Sequence, residues 1–250
     1  MPSTFKTKGI VLRSIRYGET SLIVTVFTEL FGVQTYLQNG ARAIKKGSSK
    51  AAMFQPAALL DMEVYHNDLK TMHRIKECNW SFIYQHIYSD VIKNSIALYM
   101  VELLYKALKQ PENNPDLFYF CEDAFQHLDD ATNTVAANFP LFFSVHLTQF
   151  LGLKLTDNLK NLSPSSEIYL DMAEGNFTNI QPGHSHYLAG DELLITAELL
   201  KTLHPQELSH IKLNQLKRRN LLQRYQEFYA LHIADFGQMK TLRILYELLG

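Results

Sequence analysis

The sequence SLIVTVFT at residues 21–28 decides the fold class of the first third of the chain. Leu22, Val24 and Val26 recur at every second position, and the run is rich in β-branched side chains, which is the pattern of a half-buried β-strand. Similar runs precede and follow it, and glycines separate them at intervals of roughly 8–12 residues. We predict strands near 5–16, 20–28, 32–39, 57–66 and 71–79.

Five short strands in so few residues are typical of an oligonucleotide-binding (OB) barrel. The long connection 40–56 would join the third and fourth strands, and it holds four of the eleven basic residues of 1–80. After Trp80 the hydrophobic period changes from two to 3.6. The prediction is therefore an α+β multidomain protein, with an N-terminal OB-fold β-barrel at 1–80 and a mainly α-helical domain at 81–250.

Helical periodicity and its interruption organise the second predicted domain. The segment 135–152 is apolar around most of its circumference, which predicts the central helix of a bundle. Runs at Glu167–Met172 and Asn176–Ile180 predict a hairpin over a Glu174–Gly175 turn, so a small β-ribbon is expected at about 156–188. The predicted helices cover 91–109, 115–130, 135–152, 190–203 and, with an interruption near Gly237, 206–249.

Composition and charge narrow the class of protein. With 250 residues, 46% hydrophobic and 20% charged, the sequence is typical of a globular protein and excludes disorder, collagen and coiled coil. It has no long apolar run and no signal-peptide pattern in its opening residues, which predicts a cytosolic location.

The charges are unevenly distributed along the chain. Residues 1–80 carry 11 basic and 6 acidic residues, 81–211 carry 6 basic and 16 acidic residues, and 212–250 carry 7 basic and 3 acidic residues. A basic first block indicates either a polyanion-binding module or simply a solvated face.

The sequence offers no enzyme motif. GxSxG, HExxH and GxGxxG are absent, and the loop from Gly40 to Ser48 lacks the G-K-[ST] order of a phosphate loop. His184 and His186 are the best local metal candidates, but Asp171 or Asp191 would have to complete the site, and a surface turn is the favoured interpretation. We predict no catalytic residue, metal or cofactor. Cys78 and Cys121, 43 residues apart, are expected to be core residues.

Basic residues interleaved with aromatic rings favour single-stranded nucleic acid as a ligand. Arg13, Arg16 and Arg74 lie on predicted strands, and the rings are Tyr17, Tyr36 and Phe54, of which Tyr36 and Phe54 are expected in the core. A second basic cluster, on a predicted helix, suits phosphates or an acidic protein tail. The preferred phosphate contacts are Arg42, Lys45, Lys46 and Lys50, with Arg13 and Arg74 in support, and the second cluster is Lys217, Arg218, Arg219 and Arg224.

Several short motifs follow one another in a definite order along the chain. They are Lys8-Gly-Ile-Val-Leu12, Tyr17-Gly-Glu19 with Ser21, Phe27-Thr28, Gly32, Gly40-Ala-Arg42 and Gln55-Pro56. Their order and spacing resemble those of the amino-terminal domain of the RecO recombination-mediator family. The terminal segment from Arg224-Tyr225 through Leu245 is similar to the carboxyl end of the same family.

This resemblance implies a non-enzymatic bacterial DNA repair protein, cytoplasmic and associated with the nucleoid during repair. Such proteins bind single- and double-stranded DNA, anneal complementary strands and engage the acidic tail of the single-strand-binding protein. They act with RecR to load the RecA recombinase. For the tail, the expected receptor is a basic-rimmed apolar groove with Arg218, Arg219 and Arg224.

The sequence departs from the family pattern at the β-ribbon, where many members carry a four-cysteine zinc motif. Residues 153–190 contain no cysteine, so no zinc is expected. Two alternatives to the mediator remain open. One is a non-catalytic protein-interaction adaptor with no DNA affinity, and the other is a metal-dependent hydrolase that uses the histidines.

Overall fold

The computed structural model describes residues 4–43, 50–153, 155 and 167–249. The chain divides into two compact units. The barrel unit comprises Met1–Ser89 with Leu104–Asp129, and the helical unit comprises Asp90–Leu103 with Asp130–Gly250. The domain boundary predicted at residue 80 stays a prediction, because a compact unit is not by itself an independently folding domain.

The barrel unit contains a closed five-stranded barrel, as the strand pattern predicts, with strand order β1-β2-β3-β5-β4. β1 is long enough to pair antiparallel with β4 through its first half and with β2 through its second half. A short parallel pairing of β3 with β5 completes the ring. The strands are β1 (Thr4–Tyr17), β2 (Ser21–Thr28), β3 (Gly32–Gln38), β4 (Leu59–Tyr65) and β5 (His73–Phe82).

Alternate side chains of the strands fill the barrel interior. Val24 of β2 and Tyr36 of β3 are fully buried there. Phe54 joins them from a 3-10 helix, Lys50–Phe54, in the long connection between β3 and β4. The expectation that Tyr36 and Phe54 are core residues is therefore confirmed. Cys78 of β5 packs against the same core.

The barrel unit also includes most of α2 (Pro115–Asp130), whose bounds agree with the predicted helix. Phe118 of α2 packs on Phe27 of β2 with their ring centroids 5.5 Å apart. Lys8 of β1 forms an ion pair of 2.9 Å with the nearly buried Glu122. An apolar contact and a charged contact thus both join this helix to the strands.

The helical unit is built around α3, which is buried on nearly every side, as its apolar sequence predicts. The Tyr99 hydroxyl is hydrogen bonded to the Ser144 Oγ of α3 at 2.7 Å, and the Tyr229 hydroxyl donates to the Ser144 carbonyl at 2.7 Å. No helix in the described ranges is long and apolar enough to span a membrane. The helices are α1 (Val91–Ala107), α3 (Asn133–Phe150), α4 (Gly190–Lys201), α5 (Gln215–His232) and α6 (Thr241–Leu248).

A small antiparallel sheet of three strands occupies the predicted ribbon region, part of which, 156–166, lies outside the described residues. β6 (Tyr169–Asp171) and β7 (Asn176–Thr178) form the predicted hairpin, with Gly175 at a φ of 70° in its turn. β8 (Tyr187–Ala189) pairs with the other edge of β6 and was not predicted. The sheet is held by apolar packing, and its buried side chains are Leu170, Met172, Phe177 and Leu188.

Candidate nucleic-acid interface

The strand register places an apolar row on the outer surface of the barrel. Ile15 of β1 pairs with Ile23 of β2, and Ile23 pairs with Leu37 of β3. Leu37 in turn pairs with Arg74 of β5. Directly paired residues share one face of a sheet, and because Val24 next to Ile23 is fully buried, this row faces outward. Ile15 is 42% exposed, so the strip is accessible and ends at a cation.

Two further cations lie at the end of the barrel that carries the β1–β2 turn. Arg16 and Tyr17 occupy the last two positions of β1, and both are exposed. The backbone amide of Arg42 donates to the carbonyl of Thr20 at 2.9 Å, which holds the loop after β3 against this turn. Tyr17 is 55% exposed, so a flat ring is accessible at the same end of β1 as Arg16.

We use the name arginine face for the exposed cations Arg16, Arg42 and Arg74 with Ile15 and Tyr17. Arg74 lies on the outward side of the sheet with Ile15, whereas Arg16 pairs with the buried Leu22 and is exposed because it lies at the end of β1. Among the described residues, no acidic side chain forms an ion pair with any of the three arginines. Their charge is therefore available to an anionic ligand.

Two other cations of the barrel unit, Lys8 and Lys76, are neutralised locally. Lys8 is paired with Glu122 at 2.9 Å, and this hydrogen bond raises the pKa of the lysine. Lys76 of β5 is paired with Glu63 of β4 at 2.8 Å. Both lysines lie where acids are frequent, since a cleft of about 400 Å³ on this side of the barrel is lined by Lys6, Lys8, Glu29, Asp61, Glu63 and Glu77. These two lysines are thus neutralised by acids, whereas the three arginines of the arginine face have no acidic partner among the described residues.

The remaining sequence-predicted contacts are distributed differently. Arg13 faces outward from β1, where its Nη1 donates to the Tyr105 hydroxyl at 3.1 Å and its guanidinium lies 5.8 Å from that ring centroid. Lys50 is exposed on the 3-10 helix of the long connection. Lys45 and Lys46 lie outside the described residues. Of the predicted contacts, Arg42 and Arg74 thus belong to the arginine face, and Arg13, two positions before Ile15, lies on the same side of β1 as that residue.

Comparison with known proteins identifies the family of this chain. A family model described as Recombination protein O N terminal matches residues 1–84, and one described as Recombination protein O C terminal matches residues 88–242. The chain belongs to the RecO family.

Similar proteins of the RecO family extend over almost the same length. Three relatives carry the name DNA repair protein RecO, and each covers 97% of this chain and 98% of its own length. That of Bacteroides fragilis is 34% identical over 244 residues, that of Azobacteroides pseudotrichonymphae 32% over 242 and that of Flavobacterium johnsoniae 32% over 245. The chain is therefore a DNA repair protein, and the resemblance noted in its sequence is confirmed.

The second predicted cluster of this RecO-family chain lies on α5, and two of its arginines are held by the fold. Arg218 donates to the Asn138 Oδ1 at 3.2 Å, to the Leu249 carbonyl at 3.0 Å and to the Leu213 carbonyl at 3.1 Å. Burial lowers the pKa of its guanidinium. Arg218 thus joins three segments of the helical unit.

Arg224 is likewise engaged, whereas Arg219 is open to solvent. Arg224 donates to the Tyr187 carbonyl of β8 at 3.1 Å and to Glu227 at 3.0 Å. The Arg219 guanidinium lies 4.7 Å from the ring centroid of Tyr246 on α6.

The crevice beside Arg219 is nearly closed. The free volume of the crevice is about 10 Å³, which is room for at most one water molecule. The crevice would therefore have to widen before the apolar end of a peptide could enter it. Its lining residues are Gln215, Arg218, Arg219, Leu222, Leu245, Tyr246 and Leu249.

The β-ribbon side chains do not fit a tetrahedral zinc site. Asp171 accepts hydrogen bonds from the amides of Ala173 and Glu174, and its Oδ1 lies 3.5 Å from the Nε2 of His184. His184 and His186 do not belong to any group of three ligands within the described part of the chain. A structural zinc site needs four ligands, usually with cysteine among them. The ribbon therefore folds on its apolar packing and on the Asp171 turn.

Sequence reasoning missed two exposed features of the barrel unit. The apolar strip Ile15, Ile23 and Leu37 could have been found from strand alternation, because these positions lie opposite the buried ones in each strand. The β4–β5 loop, residues 66–72, carries no sequence signal for binding. Its shape depends on contacts that only the folded barrel provides.

Proposed function

We propose that the arginine face binds single-stranded DNA and that the protein is a non-catalytic recombination mediator. In this proposal it binds single- and double-stranded DNA, anneals complementary strands and helps load the recombinase onto DNA coated with single-strand-binding protein. The observation that carries the proposal is the set of unneutralised arginines, Arg16, Arg42 and Arg74, beside exposed Tyr17 and Ile15. OB barrels bind oligonucleotides on this strand 2–3 face.

Annealing by such a surface needs no catalytic group. Two DNA strands repel each other through their phosphates, and a cationic face lowers this repulsion while bases remain exposed. The proposed phosphate contacts are Arg42, Lys45, Lys46, Lys50, Arg13 and Arg74, with Arg16 added by the geometry.

The proposed partners are RecR, the acidic tail of the single-strand-binding protein and, indirectly, RecA. Among the three arginines predicted for the tail, we assign the direct contact to Arg219. Arg218 and Arg224 would instead support its helix through the hydrogen bonds they already make.

The experiment that tests DNA binding is fluorescence anisotropy of a labelled single strand at several salt concentrations. A single-strand binder loses affinity with a log–log slope of roughly −0.7 for each phosphate neutralised, so Lys45→Glu combined with Lys46→Glu should flatten the slope by about one to two. Lys76→Ala is the matched control, because Glu63 already neutralises this lysine. Absence of DNA affinity at about 50 mM salt would contradict the proposal and favour the adaptor.

A second assay separates annealing from binding. Complementary labelled strands are mixed with and without the protein, and the rate of duplex formation is followed. We expect acceleration by the wild type and a smaller acceleration by the Lys45→Glu/Lys46→Glu variant. A labelled acidic peptide with an apolar end, added to the wild type and to Arg219→Ala, tests the proposed tail contact.

A further inference from the structure

The β4–β5 loop presents a single leucine at the tip of a tight turn. The Asn67 Oδ1 accepts from the Leu69 amide at 2.9 Å, and the Lys70 amide donates to the Asn67 carbonyl at 2.9 Å. The His66 Nε2 lies 2.9 Å from the Asp68 carboxylate. Leu69 itself is 94% exposed. Local hydrogen bonds therefore fix the turn while its apolar tip projects into solvent.

A column of stacked rings holds both ends of this loop. His66 precedes the turn and His73 follows it, and their rings stack with centroids 4.5 Å apart. Phe31 stacks on the other face of His66 at 3.8 Å, and Phe5 meets Phe31 edge-on at 5.4 Å. Burial lowers the pKa of His73, so its ring is uncharged at neutral pH. The loop is thus anchored at its base and pre-organised.

The surroundings of Leu69 carry both charges, because Asp68, held by His66, precedes it and Lys70 follows it. Lys70 and Arg74 are exposed on either side of the half-exposed Met72, and Arg74 belongs to the arginine face. A scattered exposed leucine needs no explanation. A leucine on a rigid turn that lines one cleft with Lys70, Met72 and Arg74 is instead placed to meet the bases of a strand bound at the arginine face.

We propose that Leu69 is a wedge that packs against the bases of a DNA strand held on the arginine face and separates one base from its neighbour. This inference rests on the proposed function, since it requires a bound single strand. Apolar side chains inserted between bases unstack them in other DNA-binding proteins. An unstacked base is ready to pair with an incoming complementary strand, so the wedge would assist annealing.

The test uses a single-stranded oligonucleotide containing 2-aminopurine, whose fluorescence rises when it is unstacked. We expect the wild type to raise this fluorescence on binding and Leu69→Ser to lose the rise. The variant should bind about five- to tenfold more weakly, because it removes one apolar contact. Its salt slope should stay unchanged because no charge is altered.

Two further variants make the result specific. Ile83→Ser removes another exposed apolar side chain of the barrel unit, 70% exposed just after β5, and should behave as the wild type. Leu69→Met keeps a large apolar tip of similar volume and should retain the fluorescence rise. Thermal unfolding of all variants establishes that each is folded.

The outcomes distinguish the wedge from the proposed function. If Leu69→Ser binds DNA and keeps the full fluorescence rise, the wedge is wrong while DNA binding stands. The wedge is also wrong if the wild type binds DNA without any rise. If the wild type binds no DNA at all, both the wedge and the proposed function fail.

Discussion

The arginine face of the barrel and the basic cluster of α5 are both groups of basic residues in the sequence, but their surroundings in the structure differ. On the barrel, Arg16 and Arg74 are exposed and form no ion pair with any described acid. On α5, Arg218 makes three hydrogen bonds inside the helical unit, and Arg224 joins α5 to β8. One group of cations is available to a ligand, and the other is used to hold the fold.

This difference shows that the environment of an arginine, and not its neighbours in sequence, decides its function. A guanidinium with five donors can connect several carbonyl groups at once, as Arg218 does. Such an arginine cannot turn to a phosphate without leaving those carbonyls unsatisfied. Removing a fold-holding arginine should therefore cost stability, whereas removing a ligand-binding one should cost affinity.

The largest effect is expected for Arg218→Met. The variant removes hydrogen bonds to the Leu249 and Leu213 carbonyls and leaves the buried Asn138 without one partner. We expect the free energy of unfolding to fall by about 3 kcal/mol, measured by urea denaturation. Arg219→Met is the matched control on the same helix and should cost less than about 1 kcal/mol. Equal losses in the two variants would remove the distinction drawn between them.

A smaller loss is expected for Arg224→Met. Its guanidinium is only partly buried, and it contacts the Tyr187 carbonyl, Glu227 and, at 3.8 Å, Glu192. We expect a loss of about 1 kcal/mol, with hydrogen exchange becoming faster in β8 and remaining unchanged in the barrel strands. Faster exchange throughout the chain would show that the contact is not local to the ribbon.

The pH dependence of stability offers a finer test of the helical unit. Burial lowers the pKa of His146 on α3, whose Nε2 donates to the Leu199 carbonyl at 3.0 Å. The unfolded state, with a pKa near 6.5, then binds more protons, so stability decreases as the pH falls below about 6.5 and is full above it.

His146→Gln should reduce the change of the free energy of unfolding with pH, measured by urea denaturation between about pH 5 and pH 7. Some slope should remain, because burial also lowers the pKa of His73 in the barrel unit. A variant with the same slope as the wild type would show that His146 does not contribute to it.

Much of the fold could be predicted from the sequence, because barrel strands and amphipathic helices leave periodic patterns. The five strands, the central helix α3 and the hairpin turn at Gly175 all follow from such patterns. β8 was missed because no tight turn joins it to its partner β6, whereas β6 and β7, which are equally short, flank the Glu174–Gly175 turn.

The interface was less predictable for a physical reason. Composition places arginines in the chain, but pairing with acids depends on strands that are distant in sequence, as with Lys76 and Glu63 across β5 and β4. The rigid presentation of Leu69 depends on the stacking of His66 with His73 and Phe31. Neither feature is encoded in a local pattern.

The most direct measurement compares the salt dependence of single-stranded DNA binding in wild type, Arg16→Ala/Arg74→Ala and Lys76→Ala. If the arginine face binds the strand, the double variant loses about 1.4 from the log–log slope, roughly 0.7 for each phosphate contact, while Lys76→Ala keeps the wild-type slope. Equal slopes in all three proteins would contradict the assignment of DNA binding to this face.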